Sequence, residues 1–136
     1  MKKKILISTG GSGGHTMPAV TLYQHLKNNF DIFLTTDKRG ANFIDKNIYN
    51  YKIIEIPKIS KNIFKIPYML FFFITSLIKS FFLIKNNNIQ ILFSTGGYMS
   101  IPLCISAILL KRKIYLFEPN MVVGRSNKLF LKFSEK

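Results

Sequence analysis

The stretch Thr9 to Pro18 holds four glycines in five residues, directly behind the apolar run Ile5-Leu6-Ile7 and ahead of an apolar-periodic segment beginning at Ala19. That order is a strand, a glycine-rich turn and a helix. Glycines free the backbone to take positive φ and to approach a ligand closely. The amides opening the next helix face the same space and suit a phosphate or diphosphate. The loop departs from the common phosphate motifs: no Lys-Ser/Thr follows the glycines, and Gly11-x-Gly13 has no third glycine at position 16. His15 closes the loop where the helix would begin.

The same unit returns later. Ile89 to Phe93 reads as a strand, Ser94 to Ser100 as a second glycine loop, and Ile101 to Leu110 as a helix with Pro102 in its first turn. Between the two units, Asp31 to Thr35 and Tyr51 to Ile56 read as strands, the latter ended by Pro57. Thr16 to Asn29 reads as a helix opened by Pro18, and Ala41 to Ile48 as a short helix. Ile114 to Phe117 is a fifth strand, followed by Glu118-Pro119-Asn120, and a last helix starts near Val122. Alternating strands and helices imply an α/β domain: a Rossmann-like parallel sheet with helices on both faces. In such a sheet ligands sit beyond the carboxyl ends of the strands. The polar clusters at 9–16, 94–100 and 118–120 all fall on that edge.

At 136 residues the chain is expected to be one domain. Twenty basic residues against six acidic ones give a net charge of +14, which calls for an anionic partner. No acid lies between Glu55 and Glu118, and the lysines there are interleaved with long apolar runs. That mixture favours an anionic membrane surface over nucleic acid, although an AT-rich genome would also raise the lysine count. The segment Asn62 to Ile84 contains a 13-residue uncharged run, Ile66 to Ile78. A spanning helix needs about 20 apolar residues. The preferred reading is a helix lying in the plane of the membrane, touching it with Lys65, Tyr68, Met69, Phe72 and Phe73 and rimmed also by Lys58, Lys61 and Lys85. A plain core helix and a true span are the alternatives.

The lone Cys104 sits in an apolar run and suits a reducing cytoplasm. Met1 to Lys4 is followed by too short an apolar stretch for a signal peptide. One Cys and two separated His provide no metal-ligand spacing, and no cofactor is called for. Imidazole exchanges protons near neutral pH, so His15 is a candidate general base toward a hydroxyl. Glu118 is a second candidate base, or a group that orients a substrate hydroxyl; its bland alternatives are a helix cap or an ion pair with Arg125. Asn120 and Tyr98 are candidate cleft residues.

These motifs carry a resemblance. Gly10-Gly11-Ser12-Gly13-Gly14-His15-Thr16-Met17-Pro18-Ala19 resembles the first glycine loop of the MurG family of N-acetylglucosaminyltransferases. Gly96-Gly97-Tyr98-Met99-Ser100-Ile101-Pro102 is similar to its second loop. Phe117-Glu118-Pro119-Asn120, with Gly124 and Asn127-Lys128-Leu129 behind it, is similar to its third motif. The third motif usually reads His-Glu-Gln-Asn, so Phe117 and Pro119 depart from it. The resemblance implies the amino-terminal half of a GT-B glycosyltransferase of peptidoglycan synthesis. That half receives undecaprenyl-diphospho-MurNAc-pentapeptide, and GlcNAc passes to it from UDP-GlcNAc with inversion. Carried over, His15 and Glu118 are the catalytic residues. Gly11, Ser12, Gly13, Gly14, Thr16, Gly96, Gly97, Tyr98, Asn120 and Asn127 are the substrate-binding ones. The expected partners are the lipid-linked diphosphate sugar, an anionic membrane and a donor-binding domain or subunit, in cis or in trans. The expected location is the cytoplasmic face of the bacterial inner membrane, peripherally attached. The donor half is not expected within these residues. A non-catalytic, membrane-recruiting subunit of a split transferase is the alternative.

Overall fold

The computed structural model describes residues 2–56, 63–118 and 120–135. Among the described residues five strands form one parallel sheet: β1 (Lys4–Ser8), β2 (Asp31–Thr36), β3 (Tyr51–Ile53), β4 (Ile91–Ser94) and β5 (Lys113–Leu116), in the order β3-β2-β1-β4-β5. The helices between them are α1 (Gly13–Leu26), α2 (Lys38–Ala41), α3 (Ile66–Asn86) and α4 (Ser100–Leu109), with α5 (Arg125–Phe130) after β5. This is the expected Rossmann-like arrangement. Pro57, Lys58, Lys61 and Pro119 lie outside the described residues.

β1 is buried on both faces, so its side chains alternate between two cores. Ile5 and Ile7 join Ala19 of α1, Leu34, Ile44 and Tyr49 on one side. Leu6 joins Leu92, Ile114, Leu83, Ile84, Leu103 and Cys104 on the other. Burial pushes the Cys104 thiol up to about 12, against a smaller opposing pull from Ser94, so the group behaves as a small hydrophobe.

The strand order reverses direction at β1, which pairs with β2 on one side and β4 on the other. Ser8 and Ser94 are register partners at the carboxyl ends of that pair, so the two glycine loops leave the sheet side by side.

Several boundaries differ from those expected: β3 ends at Ile53 and not at Ile56, β4 starts at Ile91 and not at Ile89, and three helices are displaced. α1 starts at Gly13, so Pro18 stands inside it and not in its first turn. The two glycines form the first helical turn because the Ser12 carbonyl already accepts from the His15 and Thr16 amides. The short helix expected at 41–48 is instead α2 at Lys38–Ala41. It begins early because the Asp37 carboxylate caps it, accepting from the Gly40 amide at 2.7 Å. The last helix begins at Arg125 and gives way to a tight 3-10 turn at Leu131–Phe133.

α3 is inverted relative to an ordinary surface helix. Its buried residues are Ser76, Ser80, Leu83 and Ile84. Ser76 donates to the Glu55 carbonyl at 2.6 Å, and Ser106 of α4 donates to the Leu77 carbonyl. Small residues let the backbones approach, and the bulky ones are left outside. Tyr68, Leu70, Phe71, Ile74, Ile78 and Phe82 are exposed, with Phe71 at 64%. At 21 residues the helix is long and apolar enough to cross a membrane by length and composition.

The packing predicts a contrast. Leu6→Ala should cost about 2–5 kcal/mol through the cavity it leaves. Phe71→Ala should stay within about 0.5 kcal/mol of the parent. Urea unfolding of the two variants checks both figures.

Candidate functional site

Above the carboxyl ends of β1, β2 and β4 lies a cleft of about 740 Å3. Its polar wall is Gly10, Gly11 and Ser12 from the first loop, His15 from the first turn of α1, Gly97 and Tyr98 from the second loop, and Asp37 and Arg39 from the cap and first turn of α2. Its apolar wall is Ile66, Met69, Leu70 and Phe73 of α3, with Met99 and Ile101 at the start of α4. Three polar loops and one apolar helix therefore enclose a single space.

The loops are locked together by backbone contacts. The Thr95 amide donates to the Ser8 carbonyl at 3.0 Å, and the Thr9 amide to the Thr35 carbonyl at 3.0 Å. Gly97 has φ of +88°, and a Cβ there would come 3.1 Å from the Gly10 carbonyl oxygen. Only glycine satisfies both conditions. Written one above the other, Ser8-Thr9-Gly10-Gly11 and Ser94-Thr95-Gly96-Gly97 are the same tetrapeptide at equivalent places.

His15 is half-buried, and its ring is fixed by a bond across 80 positions of sequence. Nδ1 lies 2.6 Å from the Thr95 carbonyl oxygen. A carbonyl only accepts, so Nδ1 carries the proton and the neutral ring keeps its lone pair on Nε2. That tautomer is the one a general base needs.

Glu118 stands in a different situation. One carboxylate oxygen accepts from the Gly124 amide at 2.7 Å and from Asn127 Nδ2 at 3.1 Å. The other accepts from the Asn120 side chain at 2.9 Å and its backbone amide at 3.2 Å. Partial burial pushes the carboxyl up, but the donors of Gly124, Asn120 and Asn127 together outweigh it and leave the group below the usual glutamate range. Asn127 is itself buried; it donates to the Phe117 carbonyl and accepts from Ser94 Oγ. Ser94 Oγ in turn accepts from the Gly96 amide. A continuous chain thus runs from the second glycine loop through Ser94 and Asn127 to Glu118. A Cβ at Gly96 would stand 3.3 Å from His15 Nδ1 and 3.4 Å from Asn127 Nδ2, so both residues border one glycine.

Of the residues expected at the site, Gly11, Ser12, His15, Gly97, Tyr98, Met69 and Phe73 line the cleft. Gly13 and Gly14 form the first turn of α1, where amides precede any helical acceptor. Thr16 is fully buried and spends its hydroxyl on the Ser12 carbonyl at 3.0 Å. Gly96 and Asn127 are buried and, like Glu118, do not line the cleft, and Asn120 is exposed beside Glu118. Of the residues expected to meet the membrane, Lys65, Tyr68 and Phe72 are exposed, whereas Met69 and Phe73 turn into the cleft. Asp37 and Arg39 are not among the residues expected at the site, although their position after β2 puts them on the same rim.

The Glu118 clasp has a pH signature. A carboxylate held below its unfolded pKa stabilises the fold above that unfolded value, and the stabilisation disappears as pH falls through the lower folded one. The stability gap between the parent and Glu118→Gln should be full at neutral pH and close on acidification, as read from denaturant midpoints across pH. A gap that does not change with pH contradicts the clasp.

Residues 5–136 match the model of the glycosyltransferase family 28 N-terminal domain. The chain is 54% identical over its whole length to the UDP-N-acetylglucosamine–N-acetylmuramyl-(pentapeptide) pyrophosphoryl-undecaprenol N-acetylglucosamine transferase of Pelagibacter ubique, covering 38% of that protein. It is 34% identical over 131 residues to the enzyme of the same name from Prochlorococcus marinus strain MIT 9301, covering 95% of this chain and 36% of that one. The chain thus spans less than two fifths of the length of these curated relatives. In fold it is similar to the crystal structure of Acinetobacter baumannii MurG, with a TM-score of 0.83 and 19% identity over 98% of this chain and 40% of that one. It is also similar to the Streptomyces glycosyltransferase SsfS6, with a TM-score of 0.65 and 12% identity, covering 94% of this chain and 42% of that one. The sheet is that of the N-terminal domain of GT-B glycosyltransferases, and the chain belongs to glycosyltransferase family 28.

Proposed function

We propose that this chain is the acceptor-binding half of an inverting N-acetylglucosaminyltransferase of peptidoglycan synthesis. It receives undecaprenyl-diphospho-MurNAc-pentapeptide, and a donor-binding half, in cis or in trans, supplies UDP-GlcNAc. The observation that carries this reading is His15, fixed by Thr95 in the base-competent tautomer at the edge of a cleft that is polar at one wall and apolar at the other. An amphiphilic acceptor needs both walls. The relatives' names point to the same acceptor and donor.

In the proposed reaction His15 Nε2 takes the proton from the acceptor sugar's 4-hydroxyl. The freed oxygen forms a bond to the anomeric carbon of GlcNAc from the face opposite the leaving group. The bond from that carbon to the UDP oxygen breaks, and UDP leaves with the electron pair. Glu118, occupied by four donors, acts as the clasp of the loop at 118–127 and not as the base. Asn127 and Gly96 hold that clasp against His15. The protein works peripherally at the cytoplasmic face of the bacterial inner membrane. The exposed aromatic face of α3 supplies the apolar contact, and Lys65, Lys79 and Lys85 supply the charge for anionic lipid.

Two measurements test this reading. In the enzyme with its donor half, His15→Ala should lower turnover by about 10²–10⁴-fold with acceptor binding retained; parent-like turnover sinks the base assignment. The double variant Tyr68→Ser/Phe71→Ser should lose co-sedimentation with phosphatidylglycerol vesicles at high salt, where the parent stays bound. Equal loss of both proteins as salt rises would mean that charge alone holds the chain to lipid.

A further inference from the structure

Glycine-rich loops bind anions through their free amides, yet two such amides here are turned inward. The Gly11 amide donates to Asp37 Oδ1 at 2.9 Å, and the Gly96 amide donates to Ser94 Oγ at 3.2 Å. Neither meets a ligand in this arrangement. With these two amides engaged, a side-chain cation would add to what the open first turn of α1 offers an anion. Among the described residues that line it, Arg39 is the one side chain with a permanent cation.

Arg39 is aimed by its surroundings. Its Nε lies 3.7 Å from Asp37 Oδ2, while Asp37 Oδ1 is anchored by the amides of Gly11 and Gly40. The Asp37 carboxylate is thus largely occupied and only 17% exposed, whereas the Arg39 side chain is 60% exposed. Arg39 Nη2 would lie 3.5 Å from a Cβ on Gly11, so the guanidinium runs along the bare backbone of the first loop. Gly11 has φ of +86° and offers no side chain to block it. Among the described residues no protein acceptor takes up the Nη groups, which form the planar fork that suits an oxyanion.

We propose that Arg39 is the oxyanion-binding side chain of the cleft, held by Asp37 so that its fork meets an anionic group of the acceptor. The inference rests on the acceptor-binding reading and names the residue that reads the charge. The oxyanion has two possible sources in such an acceptor: the diphosphate beside the lipid, or a carboxylate of the peptide.

The test is calorimetric titration of the full chain, its Arg39→Ala variant and its Arg39→Lys variant. The probes are farnesyl diphosphate, farnesol, and a soluble pentapeptide with either a free or an amidated carboxyl end. Arg39→Ala should weaken farnesyl diphosphate at least about tenfold, the loss of one charge-assisted contact, and leave farnesol unchanged. Arg39→Lys should restore part of the affinity, since a point charge lacks the fork. A tenfold loss confined to the free-carboxyl pentapeptide assigns the oxyanion to the peptide. Parent and Arg39→Ala binding both anionic probes equally would overturn the proposal and leave the acceptor reading standing. A parent chain that binds neither probe would overturn both.

Discussion

The contact between the loops after β1 and β4 governs what stands above the sheet. Gly97, at φ of +88°, lies so close to the Gly10 carbonyl that a Cβ would come within 3.1 Å of its oxygen, and the Thr95 amide is tied to Ser8. With the loops so joined, the Thr95 carbonyl meets His15 and fixes its tautomer. Gly96 then separates His15 from the Asn127–Glu118 clasp by no more than a missing methyl group. Parallel pairing at the switch point supplies this proximity without any special long-range interaction. The chemistry of the site follows from where two adjacent strands end.

The second constraint is the inverted packing of α3. Ser76 and Ser80 face inward and the aromatic side chains face outward, so burial does not account for the exposed apolar surface. Leu83 and Ile84 anchor the carboxyl end of the helix in the core. The amino end forms the apolar wall of the cleft through Ile66, Met69, Leu70 and Phe73. A single helix thus borders the polar loops on one side and open surroundings on the other. Such a wall suits a ligand with a charged head and an apolar tail.

Much of this was legible in the sequence. The five strands, the parallel sheet and the meeting of three polar clusters on one rim follow from apolar runs alternating with glycine loops. Two of the misread boundaries, the starts of α1 and α2, share one cause, which is capping by groups that periodicity does not see. Asp37 starts α2 early through the Gly40 amide, and Ser12 starts α1 at Gly13 through its carbonyl. Met69 and Phe73 look like their neighbours in the sequence, yet they face the cleft because Ser76 sets the rotation of α3 against Glu55. Arg39 was hidden among other polar residues after β2. The bond from Gly11 to Asp37 shows how the carboxylate beside Arg39 is held at the cleft.

We propose that these residues make up the acceptor half of a glycosyl transfer site and not the donor half. The most direct measurement is GlcNAc transfer from UDP-GlcNAc to a short-chain lipid-diphospho-MurNAc-pentapeptide in detergent. The chain is assayed alone and then with the separately supplied donor-binding half of a related enzyme. On that assignment product forms only when the donor half is added. Product from the chain alone, or none from two halves that demonstrably associate, would contradict it.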